Sequence, residues 1–355
     1  MHIECGHDPE AYKLYIDRKK EILLAGGGLL ILLFILALSL GPVRLSAYDV
    51  VRTLLGQDVS RQASLIIWKI RLPQAIAGIA AGIGLAVSGG VMQSLLRNPL
   101  GSPFTLGISQ AAAFGAAFSV IFLGTGGMQS TAADAVTISN MPLTVFFAFG
   151  ASMVATMTIL LLAGCRNISP ESIVLSGVAV ASLFTAGTLI LQFFADDTEL
   201  AAMVFWTFGD LGRAGWSQVT FLTIAALAAM AFFWWKAWDY NAIDSGEESA
   251  CALGVKVKHV RIIGMLMASL ITALIVSSVG VIGFVGLVAP HMVRRLIGDD
   301  HRFLIPGSAI MGAILLLGAD LAARTVISPR ILPVSVLTSF LGAPLFIYLI
   351  MRGNR

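Results

Sequence analysis

The strongest constraint on this chain is where its charges are absent. Nine uncharged, largely apolar runs lie at 22–43, 72–96, 98–133, 135–165, 172–195, 214–235, 262–293, 303–319 and 331–351. A helix needs about 20 apolar residues to cross the hydrocarbon core of a bilayer. Inside that core every backbone N–H and C=O must be paired within the protein. Runs of this length and number point to one class, an all-α integral membrane protein. Composition agrees, with 57% hydrophobic and 12% charged residues, against about 25% charged in soluble domains.

The run 262–293 is too long for one span. Val279-Gly280-Val281-Ile282-Gly283 breaks it into a span and a shorter second one, so about ten transmembrane helices are expected. An even count puts both termini on one side. With the N-terminal tail inside, the inner segments hold 15 Lys/Arg and the outer ones 8. That is the asymmetry of the positive-inside rule, so both termini are expected to be cytoplasmic. The outer exceptions cluster between Arg44 and Arg71. The tail, 1–21, is polar and lacks the pattern of a cleavable signal, so the first apolar run reads as a retained helix. Residues 22–352 read as a single transmembrane domain, interrupted by a polar inner segment at 239–260.

Several chemistries are disfavoured. Cys5, Cys165 and Cys251 are far apart, against a disulfide framework or zinc site. A net charge of +3 is too small to imply nucleic acid. The dipeptide Gly-Lys does not occur, so no phosphate-binding P-loop is present. If ATP and Mg drive this protein, another chain holds them. No chain of carboxylates runs through the spans, which counts against a proton-coupled carrier. An intramembrane enzyme would need a polar constellation at membrane depth, and none is visible.

The few polar features each have two readings. Asp320 and Arg324 are four residues apart, so they meet on one helix face. A structural or docking pair is favoured over a proton relay. His291 follows Pro290 at a helix end, where a structural role is commoner than metal ligation. In 239–261, Ser245 is placed to cap a short helix, Glu247 and Glu248 fill its first turn, and Gly254 ends it. Such a helix is either a lever for a partner protein or a linker on the membrane surface. The segment 196–215 reads as a short inserted helix or as interfacial aromatic anchoring. Gly78 and Gly82, and Gly283 and Gly286, offer small faces for close helix packing. The joint 89–103 holds a Gly-rich helix end, Arg97 and an Asn98-Pro99-Leu100 break between two spans.

Four blocks together carry a resemblance. The first is Arg71-Leu72-Pro73, then 89–100 with Gln93, Asn98, Pro99 and Leu100, then 103–109 with Gly107. The second, 280–294, includes Gly286, Pro290 and His291. The third is Asp300-His301-Arg302 followed by 318–324 with Asp320. The fourth is Leu332-Pro333-Val334 followed by 342–346 with Gly342 and Pro344. In this order, over roughly 60–352, the chain resembles permease subunits of ABC importers for iron-siderophores, haem and vitamin B12.

The resemblance implies a homodimer in the cytoplasmic (inner) membrane of a prokaryote, surrounded by lipid. Two ATPase subunits would bind ATP and Mg below, and an extracytoplasmic substrate-binding protein would dock above. The chain itself would bind no cofactor, catalyse nothing and pass an iron-siderophore-type chelate, with a corrinoid or haem as the alternative cargo. Glu247, Glu248, Ala250, Ala252, Leu253, Gly254 and Val255 match the family's ATPase-coupling helix. Arg71 and Arg324 match outer positions that meet carboxylates of the binding protein, which would explain part of the outer positive cluster. Two departures stand out. Gln74 replaces a common Arg, with Lys69 as a substitute charge, and Ile331 and Ser335 flank Leu332-Pro333-Val334 where Glu and Gly are common.

Overall fold

The structure is a computed structural model, describing residues 9–43, 45–57, 60–128, 136–138, 140–164, 170–328 and 330–353. In chain order the elements are α1 (Pro9–Ser39), α2 (Ala47–Leu54), α3 (Arg61–Ile66), α4 (Leu72–Leu95), α5 (Ile108–Leu123), β1 (Gly126–Met128), β2 (Val136–Ile138), α6 (Met141–Gly164), α7 (Pro170–Phe194), α8 (Asp197–Thr207), α9 (Trp216–Trp235), α10 (Ala237–Asp244), α11 (Glu247–Ala252), α12 (Val257–Val279), α13 (Val285–Ile297), α14 (His301–Thr325) and α15 (Val334–Gly353). The ten expected spans correspond to α1, α4, α5, α6, α7, α9, α12, α13, α14 and α15. Seven helical stretches among the described residues are long and apolar enough to cross a membrane, with Arg61–Leu95 counted as one of 35 residues.

The break in the long run is real. α12 ends at Val279 and α13 begins at Val285. α13 has 13 residues, about 20 Å at 1.5 Å per residue, too short to span alone. Irregular backbone at such depth is tolerated only inside protein, and Gly280, Ile282 and Gly283 are buried. The Val279 carbonyl accepts from Asp210 N at 2.8 Å, and Val285 N donates to Gly283 O at 2.8 Å.

α4 is the central post, packed by α9, α12, α13 and α14, while α5, α6 and α7 form a second group joined to it through α12. Two glycine contacts set its closest approaches. A Cβ on Gly89 would lie 1.8 Å from Gly286 O, and one on Gly82 would lie 2.4 Å from Gly312 O. Backbone therefore meets backbone between α4 and both α13 and α14, the contact small residues permit in lipid. α7 and α1 show the opposite character, each with only 17% of its apolar window buried. Leu175, Leu183, Phe193 and Phe194 are exposed along α7, a face for lipid or for another chain.

Local departures have physical causes. A π-turn at Ile67–Arg71 precedes α4, where Leu72 N bonds back to Ile67 O. Pro73 has no N–H to offer, which leaves the Trp68 carbonyl free, and Trp216 Nε1 donates to it at 2.9 Å. Among the described residues the run 98–133 supplies α5 as its one helix and then β1, which pairs antiparallel with β2 of the next run, Gly126 opposite Ile138. The run 303–319 becomes a 25-residue helix, because the Asp320 and Arg324 charges are paired within it. The segment at 196–215 does form a short helix. α8 is closed at its start by a capping box between Asp196 and Glu199 and buries Ala202, Met203 and Trp206. The polar tail is continuous with the first span from Pro9 onward. Its Lys19 is buried over the Tyr15 and Phe303 rings at 4.2 and 5.1 Å.

Candidate functional site

The segment between α9 and α12 folds into a compact arm of two short helices, α10 and α11. The N-cap of α11 is Gly246, at φ 119°, and not Ser245 as expected. Ser245 instead closes α10, its hydroxyl donating to Asn241 O at 3.1 Å. The far end is as expected. Val255 N donates to Ala250 O and Gly254 N to Cys251 O, both at 2.9 Å, the paired bonds of a Schellman stop with Gly254 at φ 83°. Ala250 is buried, while Glu248, Ala252 and Leu253 face outward, Leu253 with 74% of its surface exposed. Glu247 pairs with Arg261, whose Nε donates to Leu95 O at 3.1 Å. The arm is thereby tied to the C-terminal end of α4, with an apolar tip left uncovered.

Beside the arm lies an open cavity of about 620 Å³, lined by Gln93, Arg97, Asn98, His291, Arg294 and Asp244 among others. The 89–103 joint forms one wall. Asn98 Oδ1 accepts from Leu100 N at 2.9 Å, closing the turn that Pro99 enforces. Arg97 adopts a left-handed φ of 45°. Gln93 bridges two helices, donating to Leu287 O at 3.3 Å and accepting from Arg294. His291 packs edge-on against Phe346. Among the described residues no group of three His, Cys, Asp or Glu is arranged to hold a metal ion.

Two arm residues that were not singled out in the sequence fasten it to α14. Asn241 Nδ2 donates to Asp300 Oδ1 at 3.0 Å, and its Oδ1 accepts from His301 N at 2.8 Å. Asp244 Oδ2 lies 2.9 Å from His301 Nε2 and 3.2 Å from the Ser94 hydroxyl. Burial works against the Asp300 carboxylate, yet hydrogen bonds from Arg302 and Asn241 outweigh it and bring its pKa to about 2. The usable signal was the polar spacing of Asn241 and Asp244 beside the Asp300-His301-Arg302 block.

The opposite end corrects the placement expected of the two arginines. Arg71 and Arg324 are each only 3% exposed. Arg71 donates to Leu38 O at 2.7 Å, to Ser39 O at 2.9 Å and to Val43 O. Arg324 pairs with Asp320 at 2.7 Å and donates to Ala37 O at 3.3 Å. Two guanidinium groups thus cover the last carbonyls of α1, where a helix leaves acceptors unpaired and its dipole favours positive charge. Neither side chain is free to meet a partner's carboxylate in this structure. Arg213 does the same for α8, donating to Trp206 O and Phe208 O at 3.0 Å. Three of the positive residues expected on the outer side therefore serve helix ends. Gln74 has a definite role here, donating to Asp320 Oδ1 at 2.8 Å, while Lys69 is exposed.

The remaining motif residues hold helices together. Gly107, at φ 83°, opens α5 against Ala181. Pro290 sits inside α13 close to Gly90, and Gly342 lets α15 pass Phe284. Pro333 precedes α15, whose Val334 N donates to Gly209 O at 3.0 Å, and Pro344 lies within that helix. Asp320 is ion-paired and so does not offer the free carboxylate of a proton relay. Asp134, the other acid near a span, lies outside the described residues.

Comparison with known proteins gives a consistent result. The model of the FecCD transport family matches residues 29–352. A protein of Methanocaldococcus jannaschii described as an ABC transporter permease is 51% identical over 97% of this chain and 98% of its own length. The hemin transport system permease of Yersinia pestis is 36% identical, covering 92% of this chain and 95% of its own. The iron(3+)-hydroxamate import permease of Bacillus subtilis is 32% identical with the same coverage. Among solved structures, an ABC transporter assigned to the metal-chelate type, in an inward-facing conformation, superposes with a TM-score of 0.80. It is 27% identical and covers 94% of this chain and 99% of that one.

Proposed function

This chain belongs to the FecCD transport family, and from that premise we propose that it passes an iron-siderophore-type chelate into the cytoplasm as one half of a homodimeric permease. It is an ABC importer permease, a transport subunit like its relatives. In the proposed assembly, two ATPase chains bind ATP and Mg on the cytoplasmic side and an extracytoplasmic binding protein delivers the chelate. The assembly sits in the inner membrane of a prokaryote with both termini of this chain in the cytoplasm. The carrying observation is the arm: a rigidly capped α11 with an uncovered apolar tip at Leu253, at the end of the molecule where Lys and Arg concentrate. A short helix held this firmly and left bare is a peg for a groove on another protein. Glu248, Ala252 and Leu253 are its exposed face.

Arg71 and Arg324 are buried against the end of α1, so a docking role for either would require its side chain to leave those partners. The test is reconstitution. The permease is co-expressed with its ATPase and binding protein, placed in proteoliposomes with ATP on the ATPase side, and offered ⁵⁵Fe-ferric hydroxamate, haemin and labelled cyanocobalamin in turn. The reading predicts ATP-dependent accumulation of the ferric hydroxamate above the other two. Haem import is the second reading, supported by the 36% identity to a hemin permease, and preferential haemin uptake would select it.

A further inference from the structure

The arm has two possible routes into the membrane bundle. One is covalent, from α9 through Lys236 into α10 and from Gly254 into α12. The other is a set of polar contacts to α14 and α4, and these are unusually complete. Asn241 and Asp244 lie three residues apart on the last turn of α10, hence on one face. Asn241 uses both ends of its amide on the start of α14, donating to Asp300 Oδ1 and accepting from His301 N. Asp244 reaches the His301 ring at 2.9 Å. The Ser94 hydroxyl, on the last turn of α4, joins the same pair, 2.9 Å from His301 Nε2 and 3.2 Å from Asp244 Oδ2. The Tyr240 ring lies 5.5 Å from the His301 ring, whose residue is fully buried. Trp234 Nε1, at the end of α9, donates to Arg302 O at 3.1 Å.

α14 itself runs 25 residues from this node, about 37 Å at 1.5 Å per residue. Its far end carries the buried Asp320–Arg324 pair, which reaches Gln74 of α4 and Ala37 of α1. One helix therefore joins the arm to the polar cluster that closes the outer end of α1.

We propose that His301 is a positioning residue that locks the coupling arm to α14, so that a displacement of the arm by the ATPase is carried along α14 to the outer end of the bundle. The proposal rests on reading α11 as the coupling helix. A hydrogen-bonded node at one end, a continuous helix, and an ion-paired node at the other form a contiguous physical link between two sites. Without the His301–Asp244 contact the arm would still move, but the Asn241 bonds alone would carry little of that displacement into α14.

The experiment follows both ends at once in the complete complex with its ATPase. Cys251 is native and exposed on α11, so with Cys5 and Cys165 replaced by Ser it takes a spin label, and the label-to-label distance between the two permease copies is measured. A second background carries Cys251→Ser and Val326→Cys, at an exposed position just beyond α14. Distances are compared without nucleotide and after ATP–vanadate trapping. The unaltered complex is expected to shift at both positions. Asp244→Ala, at an exposed position of α10, is expected to keep the shift at 251 and lose most of the shift at 326. His301→Ala is expected to match it, the double variant to add nothing further, and His301→Gln, which keeps an N–H for Asp244, to restore much of the shift. A full shift at 326 in the Asp244→Ala complex would overturn the proposal alone. Loss of the shifts at both positions in that variant would also overturn it, by making the contact merely structural. No shift at 251 in the unaltered complex would overturn the coupling reading, and this proposal with it.

Discussion

At the scale of single residues, the end of the molecule opposite the arm depends on guanidinium groups in places where water would otherwise serve. α1 ends among other helices, and its last carbonyls have no intrahelical partner. Arg71 supplies two bonds there and one to Val43 O just beyond, and Arg324 supplies one more to Ala37 O. Arg71→Ala should therefore lower stability by on the order of 2–3 kcal/mol, the scale of charge-assisted hydrogen bonds plus stranded carbonyls. The check is a thermal melt of the purified protein in detergent, and a melt unchanged from the native one would show that the carbonyls find other partners. Glycines give a sharper contrast. Gly89→Ala puts a Cβ 1.8 Å from Gly286 O, whereas Gly27→Ala in α1 meets nothing within 4 Å. The first should cost several kcal/mol or prevent folding, since neither backbone has room to yield. The second should be neutral or stabilising by about 1 kcal/mol, the helix-propensity difference. Expression and melting of the pair, made side by side, test both.

At the scale of elements, the arm is the part that a sequence describes only in outline. The acids at Glu247 and Glu248 and the stop at Gly254 were readable, because a charged first turn and a terminal glycine are local signals. The cap was not, because Ser245 and Gly246 compete for it. The tie-break is a backbone φ of 119° at Gly246, a conformation glycine adopts far more readily than serine. The break after Val279 was readable for the converse reason. Two glycines inside a run too long for one helix announce an interruption wherever it is buried. The burial of Arg71 and Arg324 was not legible at all, since no local pattern says that the end of α1 lies against them. Within the arm, Gly254→Ala meets no atom within 4 Å but must hold φ 83°, a conformation costing about 1–2 kcal/mol for a residue with a Cβ. It should loosen the stop without unfolding the bundle. Leu253→Asp should leave the permease intact and cut its association with the ATPase by about tenfold or more, consistent with loss of a central apolar anchor. Copurification of the ATPase with each variant measures this, and undiminished copurification with Leu253→Asp would place the coupling surface elsewhere.

At the scale of the whole molecule, uncharged runs located the long apolar helices and the four motif blocks pointed to the family, while Gln74 shows what such matching leaves out. Measured against the family pattern it reads as a missing charge. In the fold it donates to Asp320 and completes a buried cluster. The molecule as a whole is a bundle built around α4, with a polar node at either end of α14 and an uncovered peg at one end. Such a body has no P-loop of its own and, among the described residues, Asp320 is ion-paired where a proton-coupled carrier would need a free acid. The proposed function therefore assigns its motion to an ATPase on another chain. The most direct measurement is uptake of ⁵⁵Fe-ferric hydroxamate into proteoliposomes holding the permease, its binding protein and either the native ATPase or one unable to hydrolyse ATP. The account predicts accumulation with the native ATPase and ATP, and none with the inactive one. Accumulation that persists with the inactive ATPase, or that follows an imposed proton gradient instead, would contradict it.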